Sequence, residues 1–305
     1  MNPACRSCNV CGGILATRFA KVRDSITNEF FAILECTKCG LGHTHPRPDD
    51  LSPYYGSHYY GGRHGLTAKF CISRRLRFLQ RIVGKATGYR LLDVGCGDGS
   101  FLLAAKEAGW NVTGTEMNPH PARAFNLDIM HNLDQIESAE QFDCITMWHS
   151  LEHMKDIKSA LHLIAGLLTP KGRLIIAVPN SDSLQIRLFG PRWLPLDAPR
   201  HLYHFTPYSL RFSLENAGFH VYRSKHHEIE YDLIGWSQSA LNYLNCTPNI
   251  FFEFLSGKGK HHSIWARTSN FILGSILTLA STAAFLVEAL IGRNGTLVMT
   301  AYRKV

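Results

Sequence analysis

Leu91-Leu92-Asp93-Val94-Gly95-Cys96-Gly97-Asp98-Gly99-Ser100-Phe101 is the stretch that decides the fold. It opens as a short apolar strand, three glycines follow at alternate positions, and Phe101 to Ala108 keeps helical spacing up to Gly109. Strand, glycine turn and helix in that order build a nucleotide-binding corner. Glycine lets the backbone turn sharply and lets a ligand lie against main-chain N–H groups, while the helix N-terminus favours a carboxylate or phosphate. Glycines alone are a weak signal. They gain weight from Val112-Thr113-Gly114-Thr115-Glu116, a second strand ending in an acid about twenty residues on, where a ribose is gripped through two hydroxyls. A dinucleotide fold wants a third Gly or Ala one position later, where this chain has Ser100. Asp93, two residues before the first glycine, offers an acceptor for an amino group.

Outward from this corner, short apolar runs alternate with helical patterns from Tyr89 to about Glu228, as in a parallel sheet built from βαβ units. The third strand is placed at Asn126 to Met130 and the fourth at Gln141 to Trp148. Asp156 caps a helix carrying Ile157, Leu161, Ile164 and Leu168, and Pro170-Lys171-Gly172 turns the chain into a strand from Leu174 to Val178. A helix from Thr206-Pro207 to about Gly218, a strand from His220 to Ser224 and a last strand from Gly295 to Tyr302 complete the order.

LLDVGCGDGSF followed by VTGTEMNP resembles motif I and the acidic second-strand position of class I S-adenosylmethionine-dependent methyltransferases. Ser150-Leu151-Glu152-His153-Met154 is similar to the LEH segment of the branch that includes the ubiquinone and menaquinone methyltransferases. The resemblance implies an α/β, Rossmann-like seven-stranded methyltransferase sheet with helices on both faces and an antiparallel final strand. It implies S-adenosyl-L-methionine as cofactor, bound by Asp93, Gly95, Gly97, Gly99, Glu116, Met117 and His149, with His131, Asn132 and Leu133 beside the adenine.

Methyl transfer from a sulfonium is an in-line displacement, so the enzyme supplies position, dry surroundings and, for a hydroxyl acceptor, a base. The acceptor groups are expected beyond the carboxyl ends of the fourth and fifth strands. His149, Glu152 and His153 follow the fourth, and Pro179-Asn180 with the loop to His204 follows the fifth. Within that loop, residues 197–206 (DAPRHLYHFT) resemble a recurring segment of the same branch. His201 and His153 are therefore the candidate catalytic bases, because imidazole titrates near neutral pH. They stand among sixteen histidines, most of which must serve the surface or the structure. Val178-Pro179-Asn180-Ser181 departs from the Asn/Asp-Pro-Pro-aromatic motif of methyltransferases acting on adenine or glutamine, which points to an oxygen or carbon acceptor.

Cys8-x2-Cys11-Gly12 and Cys36-x2-Cys39-Gly40 are matching knuckles whose four sulfurs can complete a tetrahedral, structural Zn2+ site. Cys5 shares the spacing to Cys8 but gives no pair with a trailing glycine, so it reads as spare. Four-cysteine modules of this kind occur in methyltransferases that modify sugars and in some that modify ribosomal RNA. Tyr54-Tyr55-Gly56 and Tyr59-Tyr60-Gly61 form a linker into a basic amphipathic helix at 69–85, with Phe70, Leu76, Leu79, Ile82 and Val83 apolar among arginines and lysines.

Phe271 to Ile291 is long enough to cross a bilayer and carries one charge, Glu288. The following strand belongs to the same sheet, so a single crossing would leave that strand on the wrong side. The segment is expected to lie in the membrane interface, form a re-entrant hairpin with 231–255, or pack as a buried helix. Lys258, Lys260, His261, His262 and Arg267 form a cationic turn suited to anionic headgroups.

The regimes divide the chain into a zinc-ribbon-like module at 1–50, a linker and basic helix at 51–88, a methyltransferase core at 89–230, an apolar helical insertion at 231–292 and the final strand at 293–305. With 45% apolar residues and a formal net charge of +8, the 305-residue chain is globular and suited to an anionic partner. No basic region followed by an apolar stretch opens it, which suggests a cytoplasmic location, peripheral at the inner face of the membrane. The leading expectation is methyl transfer to a small, lipophilic acceptor such as a quinone precursor, polyprenyl compound or lipid-linked sugar. The alternatives are a zinc-module RNA methyltransferase and a non-catalytic, cofactor-binding membrane scaffold. Nucleic acid is disfavoured because aromatics do not interleave with the arginines of residues 74–81.

Overall fold

The computed structural model describes residues 7–55, 67–84, 87–118, 125–137, 139–225, 227–244, 247–257 and 262–304. Cys5, Gly56, Tyr59-Tyr60-Gly61, Lys85, Lys258, Lys260 and His261 lie outside them. The described elements run β1 (Leu15–Arg23), β2 (Phe30–Cys36), β3 (Gly42–His45), α1 (Ala68–Val83), β4 (Arg90–Val94), α2 (Ser100–Glu107), β5 (Asn111–Thr115) and β6 (Asp128–Met130). They continue with β7 (Phe142–Trp148), α3 (Ile157–Leu167), β8 (Leu168–Pro179), α4 (Leu184–Phe189), β9 (Tyr203–His204), α5 (Pro207–Asn216) and β10 (Phe219–Lys225). Last come α6 (Ile229–Leu244), α7 (Ile250–Leu255), α8 (Ile264–Ile291) and β11 (Thr296–Arg303). The chain divides into two compact units, Met1–Tyr59, Pro179–Phe212 and His226–Leu297 in one, Tyr60–Val178, Ser213–Lys225 and Val298–Val305 in the other.

The latter unit is built on a seven-stranded sheet of order β10-β11-β8-β7-β4-β5-β6. The β6/β5, β5/β4, β4/β7 and β7/β8 pairs are parallel and β11 runs antiparallel to β10, the arrangement expected from the sequence. Leu91, Leu92 and Val94 of β4, interrupted only by Asp93, and Leu174 to Val178 of β8 are buried because central parallel strands are covered on both faces. Asp156 caps α3 by accepting from the Lys158 and Ser159 N–H groups, and these bonds, with the Ser159 hydroxyl, hold its carboxyl below the usual range. Pro170-Lys171-Gly172, expected to precede the fifth strand, instead falls within β8, where the pairing with β7 shifts register between Phe142 and Cys144.

The inward face of α1 carries Leu79, with Leu76, Ile82 and Val83 packed against the core as expected, and departs from the expected one at Phe70. Cys71, Arg75, Phe78 and Leu79 are buried, whereas Phe70 is 48% exposed. These four follow one helical stripe, and Arg75 is accommodated in it with its guanidinium 5.0 Å from the centroid of the Trp148 ring. Trp148 in turn meets Phe78 and Phe101 edge to face.

The other unit holds an antiparallel sheet of order β1-β2-β3-β9 and a core of Val22, Phe31, Ile33, Tyr54, Ile186, Trp193, Leu196 and Ala198. Strands β1 to β3 thus share their sheet with Tyr203–His204, far along the chain. This unit also contains α6, α7 and α8. The 28-residue α8 is long and apolar enough to cross a membrane by length and composition. Its buried positions are Asn270, Gly274, Ser281 and Glu288, while Ile272, Ile276, Leu279, Leu286 and Leu290 are exposed.

Candidate active site

At the end of β4, Asp93 is buried and accepts a 2.6 Å hydrogen bond from the Thr146 hydroxyl on β7. Gly95, Gly97 and Gly99 follow with φ of 76°, 61° and 76°, a left-handed run that residues with a Cβ rarely adopt. Gly95 is further restricted because a Cβ there would lie 2.5 Å from Ser150 Cβ. The Gly95 and Cys96 N–H groups donate to Thr115 O at 2.8 and 2.9 Å, which locks the turn onto β5. One residue beyond β5, Glu116 reaches back: its Oε2 accepts from Gly97 N–H at 2.8 Å and its Oε1 from Asn118 N–H at 3.2 Å. The structure therefore brings the glycine turn and the second-strand acid together. Met117 is 69% exposed beside them, and Leu133 is buried after β6.

After β7 the backbone of His149 is left-handed at φ 54°, and its N–H donates to Ala177 O at 2.9 Å. Its Nδ1 lies 3.6 Å from Oε1 of the fully buried Glu152. Ser150 Oγ donates to Val94 O at 2.6 Å, tying this segment to the glycine turn, and His153 N–H donates to Ser150 O at 3.2 Å. Thr146 was read only as part of the fourth strand, and Ser150 only as the first residue of the LEH-like segment. Each is an ordinary strand or loop residue whose role arises only from the neighbouring strand.

His201 belongs to the other unit. It is 8% exposed, and its Nδ1 lies 2.8 Å from Pro195 O. A carbonyl only accepts, so Nδ1 is the donor in this pair. The preceding Arg200 is buried, donating through Nη1 to Asp24 Oδ1 and Tyr54 O, each at 2.7 Å, and through Nε to Asp197. The sequence reading missed Asp24 as its partner. A turn acid between two strands carries no local sign of a residue 176 positions away.

The four cysteines of the two knuckles converge. Cys8 Sγ is 3.7 Å from Cys39 Sγ, Cys11 Sγ is 3.4 Å from Cys36 Sγ, and all four lie within 4.8 Å of one another. A tetrahedral zinc with Zn–S bonds of about 2.3 Å separates its sulfurs by roughly 3.8 Å, so the donor set fits the ion. Burial pushes Cys36 up, but the Cys39 and Lys38 backbone N–H groups outweigh it and bring the thiol down to about 7. Burial raises Cys8 and Cys39. Close by, burial and the Arg47 charge hold His43 down to about 4, so its ring, 5.4 Å from that of Tyr203, is neutral at physiological pH.

Residues 63–224 match a family model described as a methyltransferase domain. The ubiquinone biosynthesis O-methyltransferase of Bordetella avium is 29% identical over 199 residues, which is 57% of this chain and 80% of that protein. Those of Erwinia tasmaniensis and Actinobacillus pleuropneumoniae are 30% and 34% identical over 41% and 44% of this chain, and the matches span 58% and 65% of their own lengths. Among solved structures, a Burkholderia thailandensis 1,6-didemethyltoxoflavin-N1-methyltransferase is similar with a TM-score of 0.50, at 17% identity over 90% of this chain and 96% of that one. A mycolic acid cyclopropane synthase has the same TM-score and identity over 77% of this chain and 85% of that one. These two likenesses concern the fold.

Proposed function

The chain belongs to the methyltransferase-domain family as a class I S-adenosylmethionine-dependent enzyme, and from that premise we propose that it methylates an oxygen or carbon of a small, lipophilic acceptor. The acceptor is of the kind represented by a quinone precursor, a polyprenyl compound or a lipid-linked sugar. The observation that carries the cofactor reading is the 2.8 Å bond between Gly97 N–H and Glu116, which puts amide donors and a carboxylate in one corner. S-adenosylmethionine supplies the electrophilic methyl group on its sulfonium. Asp93 accepts from the amino group, Gly95, Gly97 and Gly99 let the methionine moiety approach the backbone, Glu116 takes the ribose hydroxyls, and Met117 and His149 flank the ligand. His201 and His153 are the proposed bases for a hydroxyl acceptor. Cys8, Cys11, Cys36 and Cys39 hold a structural zinc ion. Calorimetry with S-adenosylmethionine is expected to give saturable binding that Gly97→Arg abolishes, and no binding by the wild-type chain would end this reading. Comparing metabolite and lipid extracts of a deletion strain and its parent identifies the acceptor.

The lipophilic acceptor is supported by the similarity to ubiquinone biosynthesis O-methyltransferases and by α8. At 1.5 Å per residue this helix is about 42 Å long, against a bilayer hydrocarbon core of about 30 Å. From Thr268 to Ile291 its one charged residue, Glu288, is turned inward, so the outward face is free of charge along its length. The proposed occupant of that face is the inner surface of a cytoplasmic membrane, with α8 lying in the interface. Vesicles of phosphatidylglycerol and phosphatidylethanolamine are expected to float the wild-type chain and to release a Leu279→Glu, Leu290→Glu variant. Equal recovery of both forms, or a detergent-sensitive dimer in place of flotation, would overturn the assignment. The buried position of Arg75 under Trp148 weighs against the RNA alternative, since that arginine is spent on the core.

A further inference from the structure

Every residue from 201 to 204 is held by the cysteine-bearing segment of the same unit. Thr44 Oγ1 donates to His201 O at 2.6 Å and lies 3.0 Å from His204 Nε2, and Thr44 N–H donates to Leu202 O at 3.1 Å. The Tyr203 hydroxyl accepts from Asn9, which sits between Cys8 and Cys11, and from Arg47 Nη1 at 3.3 Å. The Arg47 guanidinium also stacks 4.6 Å from the centroid of the Tyr203 ring. Gly42 pairs with His204 so closely that a Cβ at 42 would stand 2.8 Å from His204 Cβ.

The path from the sulfurs to these contacts has little slack. Cys36 ends β2, its N–H donates to Leu41 O at 2.9 Å, and Gly40 N–H donates back to Cys36 O at 2.9 Å, so the second knuckle leads straight into β3. Strand β9 is two residues long and pairs with β3 alone among the described strands. A pairing this short cannot order itself, because two residues' hydrogen bonds do not offset the entropy of fixing the surrounding loop. Its order draws on β3, and so on β2 beside it and on the knuckle that leads into it, together with the bonds of His201 to Asp197 and Pro195.

We propose that the metal-loaded four-cysteine cluster is a splint for the His201 segment, with Thr44 as the positioning residue, so that metal occupancy controls the presentation of His201. Emptying the cluster frees β3 from the knuckles and lets residues 201–204 move, while leaving the glycine corner as it was. The proposal takes the role of His201 from the functional reading above. The mechanical link itself is independent of that role.

Hydrogen-exchange mass spectrometry on the full chain tests the link, comparing protein loaded with Zn2+, stripped with a chelator and reloaded. Stripping is expected to speed exchange of the 201–204 amides about tenfold or more, with reloading restoring protection and the amides of residues 91–118 unchanged. Faster exchange confined to residues 8–45 would overturn the proposal. Should stripping unfold the chain, Thr44→Val and Thr44→Ser in the zinc-loaded protein provide the second measurement. Thr44→Val is expected to keep about one zinc per chain, speed exchange at 201–204 and move the NMR titration of the His201 ring. Thr44→Ser, which keeps the hydroxyl, is expected to restore both readouts, and wild-type behaviour of Thr44→Val in both would overturn the splint. The base assignment fails separately if His201→Gln still transfers labelled methyl from S-adenosylmethionine into lipid extract while the exchange pattern holds.

Discussion

Helices α2 and α8 bury opposite kinds of residue. On α2, Phe101, Leu102 and Ala105 face the sheet and the glycine corner begins at its N-terminus, with Lys106 turned out. On α8, Asn270, Gly274, Ser281 and Glu288 are inside and a stripe of leucines and isoleucines is outside. The first arrangement is what water enforces on a helix packed against an apolar core. The second makes sense when the outer medium is itself apolar, because the polar atoms then have only the protein interior in which to find partners. Glu288 illustrates this: it accepts from Trp236 Nε1 at 2.8 Å and Gln185 Nε2 at 3.2 Å.

The contrast can be broken by mutation, and the largest effect is expected in the sheet unit. Leu102→Ala, at a fully buried position, should cost about 2–5 kcal/mol in urea unfolding, since it removes transfer free energy and leaves a cavity. Glu116→Ala should weaken S-adenosylmethionine binding about tenfold or more by calorimetry, because the carboxylate is lost from the corner. A third test concerns the buried acids beside α8. Burial and the Glu288 charge raise Asp232 well above the ordinary carboxylate range, and burial also raises Glu288. A folded-state value above the unfolded one means stability that is full below the unfolded value and lost as pH rises through the folded one. Asp232→Asn should therefore raise the thermal midpoint at pH 8 relative to wild type, with the gain shrinking towards pH 5. A gain that grew on acidification would contradict the raised value. The smallest stability change is expected from Leu279→Ser, at a position 78% exposed, within about 0.5 kcal/mol of wild type. A loss comparable to that of Leu102→Ala would show that α8 is covered by protein in solution.

Much of the sheet unit was legible because its signals are local. Strand, turn and helix around Gly95–Gly99 occupy consecutive positions, and Glu116 follows its own strand directly. The inward face of α1 was less legible, because a guanidinium over an indole is apolar in effect but not in any residue-by-residue reading. The 197–206 segment was recognisable by resemblance alone, while its partners Asp24 and Thr44 lie in a part of the chain where only the cysteines carry a local chemical signal.

The order of amino acids by itself determined the glycine corner, the two cysteine knuckles, the strand sequence and the charge-poor length of α8, since each depends on neighbours a few positions apart. Tertiary structure alone decided that Thr44 grips the backbone at His201, that Arg200 meets Asp24, and that α8 turns its polar residues inward. Those outcomes depend on which distant surfaces meet and on the medium each face is left in, and neither is encoded in local spacing.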